Sequence, residues 1–386
     1  MHMEILRMSQ RYNVVIAGLG AMGSSAAYHL ARSGLKILGL DRFAPPHNQG
    51  SSHGQTRIIR EAYWEHPLYV PLVRRAYDYW AELERESGRT LFRRTGGLMI
   101  GMPDEELIAG TLKSISEHQI AHEVIGVEEI NRRYPAITIR NEKSIGVIEH
   151  RAGILFPEIC VEAHLDLARK HGAELLFDEP VTGWEIEGEG IRVSTSKSEY
   201  SAGRLLISAG AWASGLMHNL SLPLAVERQV LLWFKPAGNP ALFSPEKFPI
   251  FLWGYKPGHM IYGFPDLGEG LKIAFHHNGQ TVTPQSINRS VGPQEVESHR
   301  AILRQFLPEA NGDLLNSAVC MYTNTPDGHF LIDFHPESDR VLIASPCSGH
   351  GFKFSSVIGG ILCDLLTEGE SSFDLSPFRL DRPGLL

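Results

Sequence analysis

The chain has 386 residues, of which 43% are hydrophobic, with a formal net charge of −8 and a pI near 6.1. This is enough for two domains with cores of their own or one large composite, and the acidic balance argues against nucleic acid as a general partner. No apolar stretch is long enough to span a membrane, and the first ten residues predict no export signal. The cysteines Cys160, Cys320, Cys347 and Cys363 are widely spaced, which argues against disulfides and predicts a cytoplasmic location.

The first predicted unit is a strand, tight turn, helix and strand over residues 12–41. The apolar run 14–17 is typical of a parallel strand that is buried on both faces. Gly18, Gly20 and Gly23 follow as G-x-G-x-x-G at the point where the strand must turn into a helix. These glycines permit the turn, the approach of a pyrophosphate and the packing of helix on strand.

The rest of this unit supplies the context that a dinucleotide-binding motif requires. Ala27 and Leu30 mark the apolar side of the helix, and Gly34 is its expected C-cap. Residues 37–40 form the second strand, and Asp41 stands at its end, where a carboxylate can accept hydrogen bonds from a ribose diol. The motif alone does not separate NAD from FAD.

Basic residues gather soon after this unit. If residues 55–63 are helical, Arg57 and Arg60 share one face, with His53 and Thr56 one turn back. Such a cluster would make an anion-binding corner. The alternative is the solvated basic start of a helix.

In each of two later strands, two polar or reactive side chains share one face. In LKIAFH, residues 271–276, alternation places Lys272 and His276 together, at the edge of a pocket or in plain solvent. In CMYT, Cys320 and Tyr322 share a side.

The last element, residues 341–366, is again strand, glycine turn and helix. Lys353 is expected in the first turn of that helix, where the macrodipole disfavours a cation by about 0.3–1 kcal/mol. A residue that breaks a local rule is a candidate for function, and the alternative is an ordinary surface lysine.

Four separated segments together resemble the monomeric sarcosine oxidase family, which includes N-methyltryptophan oxidase and pipecolate oxidase. They are the glycine fingerprint, SSHGQTRIIR at 51–60, CMYTNTPD at 320–327 and SGHGFKFSS at 348–356. The resemblance implies an α/β and α+β fold. An FAD-binding, Rossmann-like domain of the glutathione-reductase type would be interrupted by a mixed-sheet substrate domain. The FAD-binding domain would comprise residues 1–90, 158–225 and 328–386, and the substrate domain 91–157 and 226–327.

The resemblance also implies the cofactor and the reaction. FAD would be attached through its 8α-methyl carbon to Cys320, while Cys347 is a competing candidate that we interpret as a substitution. A secondary amino acid, sarcosine or a related N-methyl amino acid, would be oxidised to an imine that hydrolyses to an aldehyde and an amino acid. O2 would be reduced to H2O2, and the protein would be a monomer. Alternatives are L-pipecolate or a bulkier N-alkyl amino acid as substrate.

Site residues are carried over by motif. Arg60 and Lys353 would bind the substrate carboxylate, and Lys272 would activate oxygen. The remaining catalytic residues would be Arg57, His276, Tyr262 and His53. The implied cofactor contacts are Gly18, Gly20, Ala21, Met22, Gly23, Asp41, Arg42, Ser51, Ser52, Thr56, Arg57, Val181, Ala209, Gly210, Trp212, Cys320, Met321, Tyr322, Gly349, His350, Gly351, Phe352 and Lys353.

The sequence departs from the family pattern at two places, and other classes of protein stay open. Gln55 replaces an Asp common in relatives, and the stretch between Tyr262 and Lys272 is one residue shorter, so the pocket size is open. An NAD(P)-dependent dehydrogenase would use the same first unit but gives Cys320 no role. A non-catalytic flavin-binding subunit would not need Lys272. No metal site is predicted.

Overall fold

The computed structural model describes residues 11–217 and 220–385. Residues 1–10, for which no export signal is predicted, lie outside the described residues. The α-helices are α1 Ala21–Arg32, α2 Tyr69–Ser87, α3 Glu106–His118, α4 Val127–Arg133, α5 Pro157–Lys170, α6 Pro293–Phe306 and α7 Ser355–Thr367. Within the described ranges, no helix combines the length and apolar character needed to cross a bilayer.

The strands form three sheets. They are β1 Arg11–Ala17, β2 Ile37–Leu40, β3 Arg57–Ile59, β4 Phe92–Arg94, β5 Gly97–Gly101, β6 Glu123–Gly126, β7 Ile145–Glu149, β8 Gly153–Leu155, β9 Glu174–Leu176, β10 Val181–Glu187, β11 Gly190–Thr195, β12 Glu199–Ile207, β13 Ala225–Phe234, β14 Ile250–Lys256, β15 His259–Phe264, β16 Leu271–His276, β17 Thr281–Val282, β18 Leu314–Asn324, β19 Leu331–His335 and β20 Ser338–Ser345.

The first sheet has eight strands around a parallel centre. β1 lies between β2 and β12, both parallel to it, and β20 continues the parallel set beyond β12. The central strands are buried on both faces, as their apolar runs predict. Helices α5 and α7 pack on α1, which follows the glycine turn. This sheet therefore places the N-terminus of α1 at the carboxyl edge of β1.

The second sheet has nine strands and is mostly antiparallel. Its order is β17-β13-β16-β15-β14-β5-β7-β6, with β18 also paired to β13, and β14 and β5 run parallel. Aromatic side chains such as Phe234, Phe251 and Trp253 fill its core. The strands of the two large sheets come from alternating parts of the chain, and the predicted domain boundaries stay a prediction.

Two expectations about local structure were wrong, and the first concerns the strand β3 of the three-stranded sheet β3-β8-β4. Residues 55–63 are not helical, because Gly54 and Gln55 adopt positive φ of 98° and 69° and β3 then pairs with β8. Arg57 and Arg60 therefore lie on an extended segment. Lys353 is likewise not in α7 but in the 3-10 turn Phe352–Phe354 that precedes it.

Two histidines buried between helices predict a loss of stability in acid. His29 of α1 and His164 of α5 flank Tyr28, with ring centroids 5.0 and 5.8 Å from it. Burial lowers the pKa of His29 to about 4 and that of His164 to about 3. Both histidines bind a proton near pH 6.5 in the unfolded chain but only near pH 4 or below in the folded chain. The free energy of unfolding therefore falls as the pH drops from about 6.5 towards 4.

The expected loss is about 2 kcal/mol per histidine between pH 7.5 and 5. Urea denaturation at both pH values measures it. His164→Leu should reduce the pH dependence by about 2 kcal/mol, its share among several buried histidines whose pKa values are lowered in the same direction. A variant with the pH dependence of the wild-type protein would contradict this origin.

Candidate active site

A cavity of about 870 Å³ connects the glycine turn after β1 with the residues around Lys353. Its walls come from the first sheet, from β15, β16 and β18 of the second, and from the turn before α7. Four predicted site residues do not line it: Gly23, His53, Thr56 and Lys272. All the other predicted contacts do, so the structure brings together residues from both ends of the chain.

At one end of the cavity, the glycine turn leaves the start of α1 open. Gly18 has φ of 99°, and a Cβ at Gly23 would lie 1.8 Å from Gly18 O, so no larger residue fits there. Gly20 is the N-cap and supplies no side-chain capping bond, and Ala21 N donates to Ser52 Oγ at 3.2 Å. The N-terminus of α1 thus faces the cavity, where a helix end favours an anion. Asp41 Oδ2 accepts a hydrogen bond from Leu19 N at 2.6 Å, which fixes the carboxylate beside this turn.

An aromatic cluster near Asp41 adds contacts that the sequence did not predict. The ring of Trp212 lies 5.7 Å from that of Phe43 and 5.8 Å from the guanidinium carbon of Arg42. His47 lies 4.9 Å from Phe43, and its Nε2 is 3.5 Å from Asp41 Oδ1. These flat groups could hold the aromatic ring of a nucleotide. Only the short distance in sequence from Asp41 could have indicated Phe43 and His47.

Deeper in the cavity, Cys320 lies against Arg57. Its Sγ donates to Ser51 O at 3.6 Å, and Arg57 Nη2 lies 3.5 Å from the same sulfur. Arg57 also donates to Ser51 O at 2.7 Å, so the arginine and the thiol share one carbonyl. Cys347, the competing candidate, lines the cavity too, but burial raises its pKa to about 11. Cys347 is therefore a neutral thiol at physiological pH.

Two buried cations meet at the other end of the cavity. Arg60 donates to Ala62 O at 2.6 Å and to Glu65 Oε2 at 2.5 Å. Lys353 Nζ donates to Tyr63 OH at 3.2 Å and to His350 O at 2.9 Å. The ring of Tyr63 lies 4.4 Å from the Arg60 guanidinium and 5.0 Å from Lys353 Nζ, so one aromatic ring contacts both cations.

The charge of this corner depends on Lys353, because Arg60 is paired with the ionised Glu65. Burial and the neighbouring Arg60 lower the pKa of Lys353 to about 7. Burial alone would raise the pKa of Glu65, but Arg60 outweighs it and holds that pKa at about 2. A ligand carboxylate would favour the charged form of Lys353, since an opposite charge stabilises an ammonium.

Lys272 is buried beside the cavity and behind the loop 54–56. Its Nζ donates to Gly54 O at 2.6 Å, to Thr56 O at 3.1 Å and to Thr56 Oγ1 at 3.0 Å. It also lies 4.7 Å from the ring of Phe264 and 5.1 Å from that of Trp233. Burial, then Arg57, lowers the pKa of Lys272 well below its usual value. The oxygens and ring faces counter this by favouring the ammonium.

The three remaining predicted residues of the pocket form one aromatic wall. Tyr322 OH donates to Tyr262 OH at 3.4 Å, and the ring of His276 lies 5.8 Å from Tyr322 and 6.3 Å from Tyr262. Burial lowers the pKa of His276 well below its usual value, so the imidazole is neutral.

His53 is also buried, and burial followed by Arg57 lowers its pKa to about 4. No described residue offers a hydrogen bond to His53 Nε2.

The cavity fits a dinucleotide such as FAD, because an open helix N-terminus, a fixed carboxylate and an aromatic cluster succeed one another along it. The family described as FAD dependent oxidoreductase (DAO) matches residues 13–365. The chain belongs to this family. FAD is therefore its cofactor, and a nicotinamide-dependent dehydrogenase is no longer supported.

Similar proteins narrow the family further. A monomeric sarcosine oxidase from Streptomyces avermitilis is 43% identical over 375 residues, 96% of this chain and 97% of the relative. One from Bacillus sp. (strain B-0618) is 41% identical, with 98% of each chain covered. An N-methyl-L-tryptophan oxidase from Salmonella heidelberg is 37% identical over 374 residues, which cover 96% of this chain and 99% of the relative. The predicted membership of the monomeric sarcosine oxidase family is confirmed.

Solved structures confirm the predicted fold class. The amino acid oxidase NikD has a TM-score of 0.85 at 22% identity, with 96% of this chain and 97% of NikD covered. Glycine oxidase from Geobacillus kaustophilus has a TM-score of 0.81 at 19% identity, with 96% and 99% covered. These similarities confirm the fold with mixed sheets, and the family match identifies it as that of an FAD-dependent oxidoreductase.

Proposed function

We propose that the protein oxidises a secondary amino acid, sarcosine or a related N-methyl amino acid, at the carbon bonded to nitrogen. The imine product would add water and release an aldehyde and the primary amino acid, while O2 would be reduced to H2O2. The names of the relatives support this substrate class. The observation that carries the proposal is the meeting of Arg60 and Lys353 at the end of the cavity that reaches Cys320.

Each residue of the pocket has a task in this reaction. Bound FAD would accept a hydride equivalent from the substrate and pass electrons to oxygen. Arg60 and Lys353 would hold the substrate carboxylate, the arginine through a planar fork and the lysine as a point charge. The neutral His276 and the hydroxyls of Tyr262 and Tyr322 would line the space around the amine. Lys272 would stabilise negative charge that develops on oxygen.

Anaerobic mixing with candidate substrates tests the proposal. Sarcosine, N-methyl-L-tryptophan and L-pipecolate are added separately, and the bleaching of the visible flavin absorbance is followed. Fast bleaching by an N-methyl amino acid would support the proposal, and faster bleaching by L-pipecolate would select that alternative substrate. A flavin that none of the three reduces would contradict all of these substrates.

We also propose a covalent thioether between Cys320 Sγ and the 8α-methyl carbon of FAD, which predicts a clear change in Cys320→Ser. Acid precipitation should leave the flavin on the wild-type protein and release it from the variant. Absorbance of the supernatant and the mass of the denatured chain measure the difference. Cys347→Ser is the matched control and should keep its flavin. Release from the control and retention by Cys320→Ser would reverse the assignment.

A monomeric state and a cytoplasmic location are further proposals. The four cysteines form no disulfide with one another, which suits a reducing compartment. Light scattering of the purified protein would test the oligomeric state.

A further inference from the structure

Glu158, a carboxylate that does not line the cavity, binds the loop that holds Lys272. It lies in the first turn of α5, where the helix macrodipole favours a negative charge. Its Oε1 accepts hydrogen bonds from Gly54 N at 2.6 Å and Gln55 N at 3.0 Å, and its Oε2 accepts from Gln55 N at 3.2 Å. Two consecutive backbone N–H groups are therefore directed at one side chain.

The conformation of the loop makes this contact possible. Gly54 and Gln55 are successive residues with positive φ, and in this turn the N–H groups of both are directed at the Glu158 carboxylate. Glycine suits this position because a φ of 98° strains other residues, and a Cβ would also lie 2.7 Å from Leu231 Cδ1. The loop thus binds an anion through the N–H groups of Gly54 and Gln55, while Gly54 O, which also accepts from Thr56 N at 2.8 Å, and Thr56 O are directed at cations.

The carbonyl groups of the same loop contact two cations. Gly54 O and Thr56 O accept hydrogen bonds from Lys272, and Thr56 O also accepts one from Arg57 Nη1 at 2.8 Å. The buried Lys272 and the partly buried Arg57 repel each other at this carbonyl, so the position of Lys272 depends on a compensating charge. Glu158 supplies that charge across the peptide groups of the loop.

From this arrangement we propose that Glu158 is a positioning residue for the reaction with oxygen: it fixes the loop 54–56 and thereby holds Lys272 Nζ in place. The inference rests on the proposed function, because it uses the role of Lys272 in the oxygen step. Glu158 acts through Lys272 and has no contact with the substrate pocket. Loss of Glu158 should therefore slow the reoxidation of the flavin by O2 and leave the reduction of the flavin by the substrate unchanged.

Glu158→Gln tests this, since it removes the charge and keeps the size of the side chain. The holoenzyme is reduced by light with EDTA, without amino acid substrate, and mixed with O2. Reoxidation should be about tenfold slower, the lower end of the effect that loss of an outer-shell partner has at metal sites. Anaerobic reduction by sarcosine should change by less than about twofold, because the carboxylate-binding corner is untouched. Glu162→Gln, an exposed carboxylate one turn further along α5, is the matched control.

Two further measurements separate positioning from a general structural role. Hydrogen exchange of residues 51–59 in the holoenzyme should be faster in Glu158→Gln than in the control. In a Lys272→Met background, Glu158→Gln should cause no further slowing of reoxidation. Further slowing in that background, or equal slowing of both half-reactions, would overturn the proposal.

A second substitution tests the same proposal if Glu158→Gln folds poorly. Glu158→Asp keeps the charge on a shorter side chain and should give an intermediate reoxidation rate. A wild-type rate combined with fast exchange of the loop would overturn the proposal. Because light replaces the substrate, a wild-type enzyme that none of the three candidate substrates bleaches would overturn the proposed function alone.

Discussion

Replacing Lys272 with methionine is expected to slow the reaction of the reduced flavin with O2 by about 100- to 1,000-fold, the range seen when one preorganised electrostatic group is removed. Oxygen becomes anionic as it accepts an electron, and Lys272 would supply positive charge in a site that excludes water. Methionine matches the length of the lysine stem but carries no charge.

Stopped-flow mixing of photoreduced enzyme with O2 measures this effect directly. Anaerobic reduction by sarcosine should change far less, because Lys272 has no contact with Arg60 or Lys353. Lys256→Met, at an exposed lysine of the same large sheet, is the control and should react like the wild-type enzyme. Equal losses in both half-reactions would argue that the substitution disturbs the pocket as a whole.

The variant should also lose some stability. Lys272 donates to Gly54 O, Thr56 O and Thr56 Oγ1. In the methionine variant Gly54 O keeps its bond from Thr56 N and Thr56 O keeps its bond from Arg57, whereas Thr56 Oγ1 loses its partner. A buried group that loses its partner costs about 1–3 kcal/mol. Activity should therefore be compared at a temperature where both proteins are fully folded.

The parts of the site that local sequence could predict are those made by neighbouring residues. The glycine turn and Asp41 belong to one strand–turn–helix–strand unit, so their spacing alone encodes their geometry. Strand alternation likewise placed Lys272 with His276 and Cys320 with Tyr322. Side chains two residues apart on a strand must share a face wherever the strand lies.

Contacts across the chain were not predictable in this way. Arg60 and Lys353 came together only through the family resemblance, since nothing local to either indicates the other. The expected helix at residues 55–63 was wrong because a basic i, i+3 pattern carries no information about the left-handed backbone at Gly54 and Gln55. Glu158 was missed because it is remote in sequence and bonds only to backbone groups, which no pattern of side chains reveals.

Arg60→Met is expected to raise the KM for sarcosine by about 100-fold, since charge-assisted hydrogen bonds contribute about 1.5–3 kcal/mol. The variant should also unfold more easily. Glu65 would keep its buried charge without its partner, and breaking such a pair costs about 3–5 kcal/mol. Poor folding could therefore imitate poor binding, and the two effects have to be separated.

The double variant Arg60→Met with Glu65→Gln separates them, because it removes the unpaired charge and should recover most of the lost stability. Its KM for sarcosine should stay high. A second comparison uses sarcosinamide, in which a neutral primary amide replaces the carboxylate of sarcosine. The wild-type enzyme should strongly prefer sarcosine over this amide, and both arginine variants should lose most of that preference. A double variant that regains the wild-type KM or preference would show that Arg60 serves mainly to balance Glu65. The carboxylate would then depend on Lys353, whose pKa of about 7 predicts that binding weakens as the pH rises above neutrality and the ammonium loses its proton.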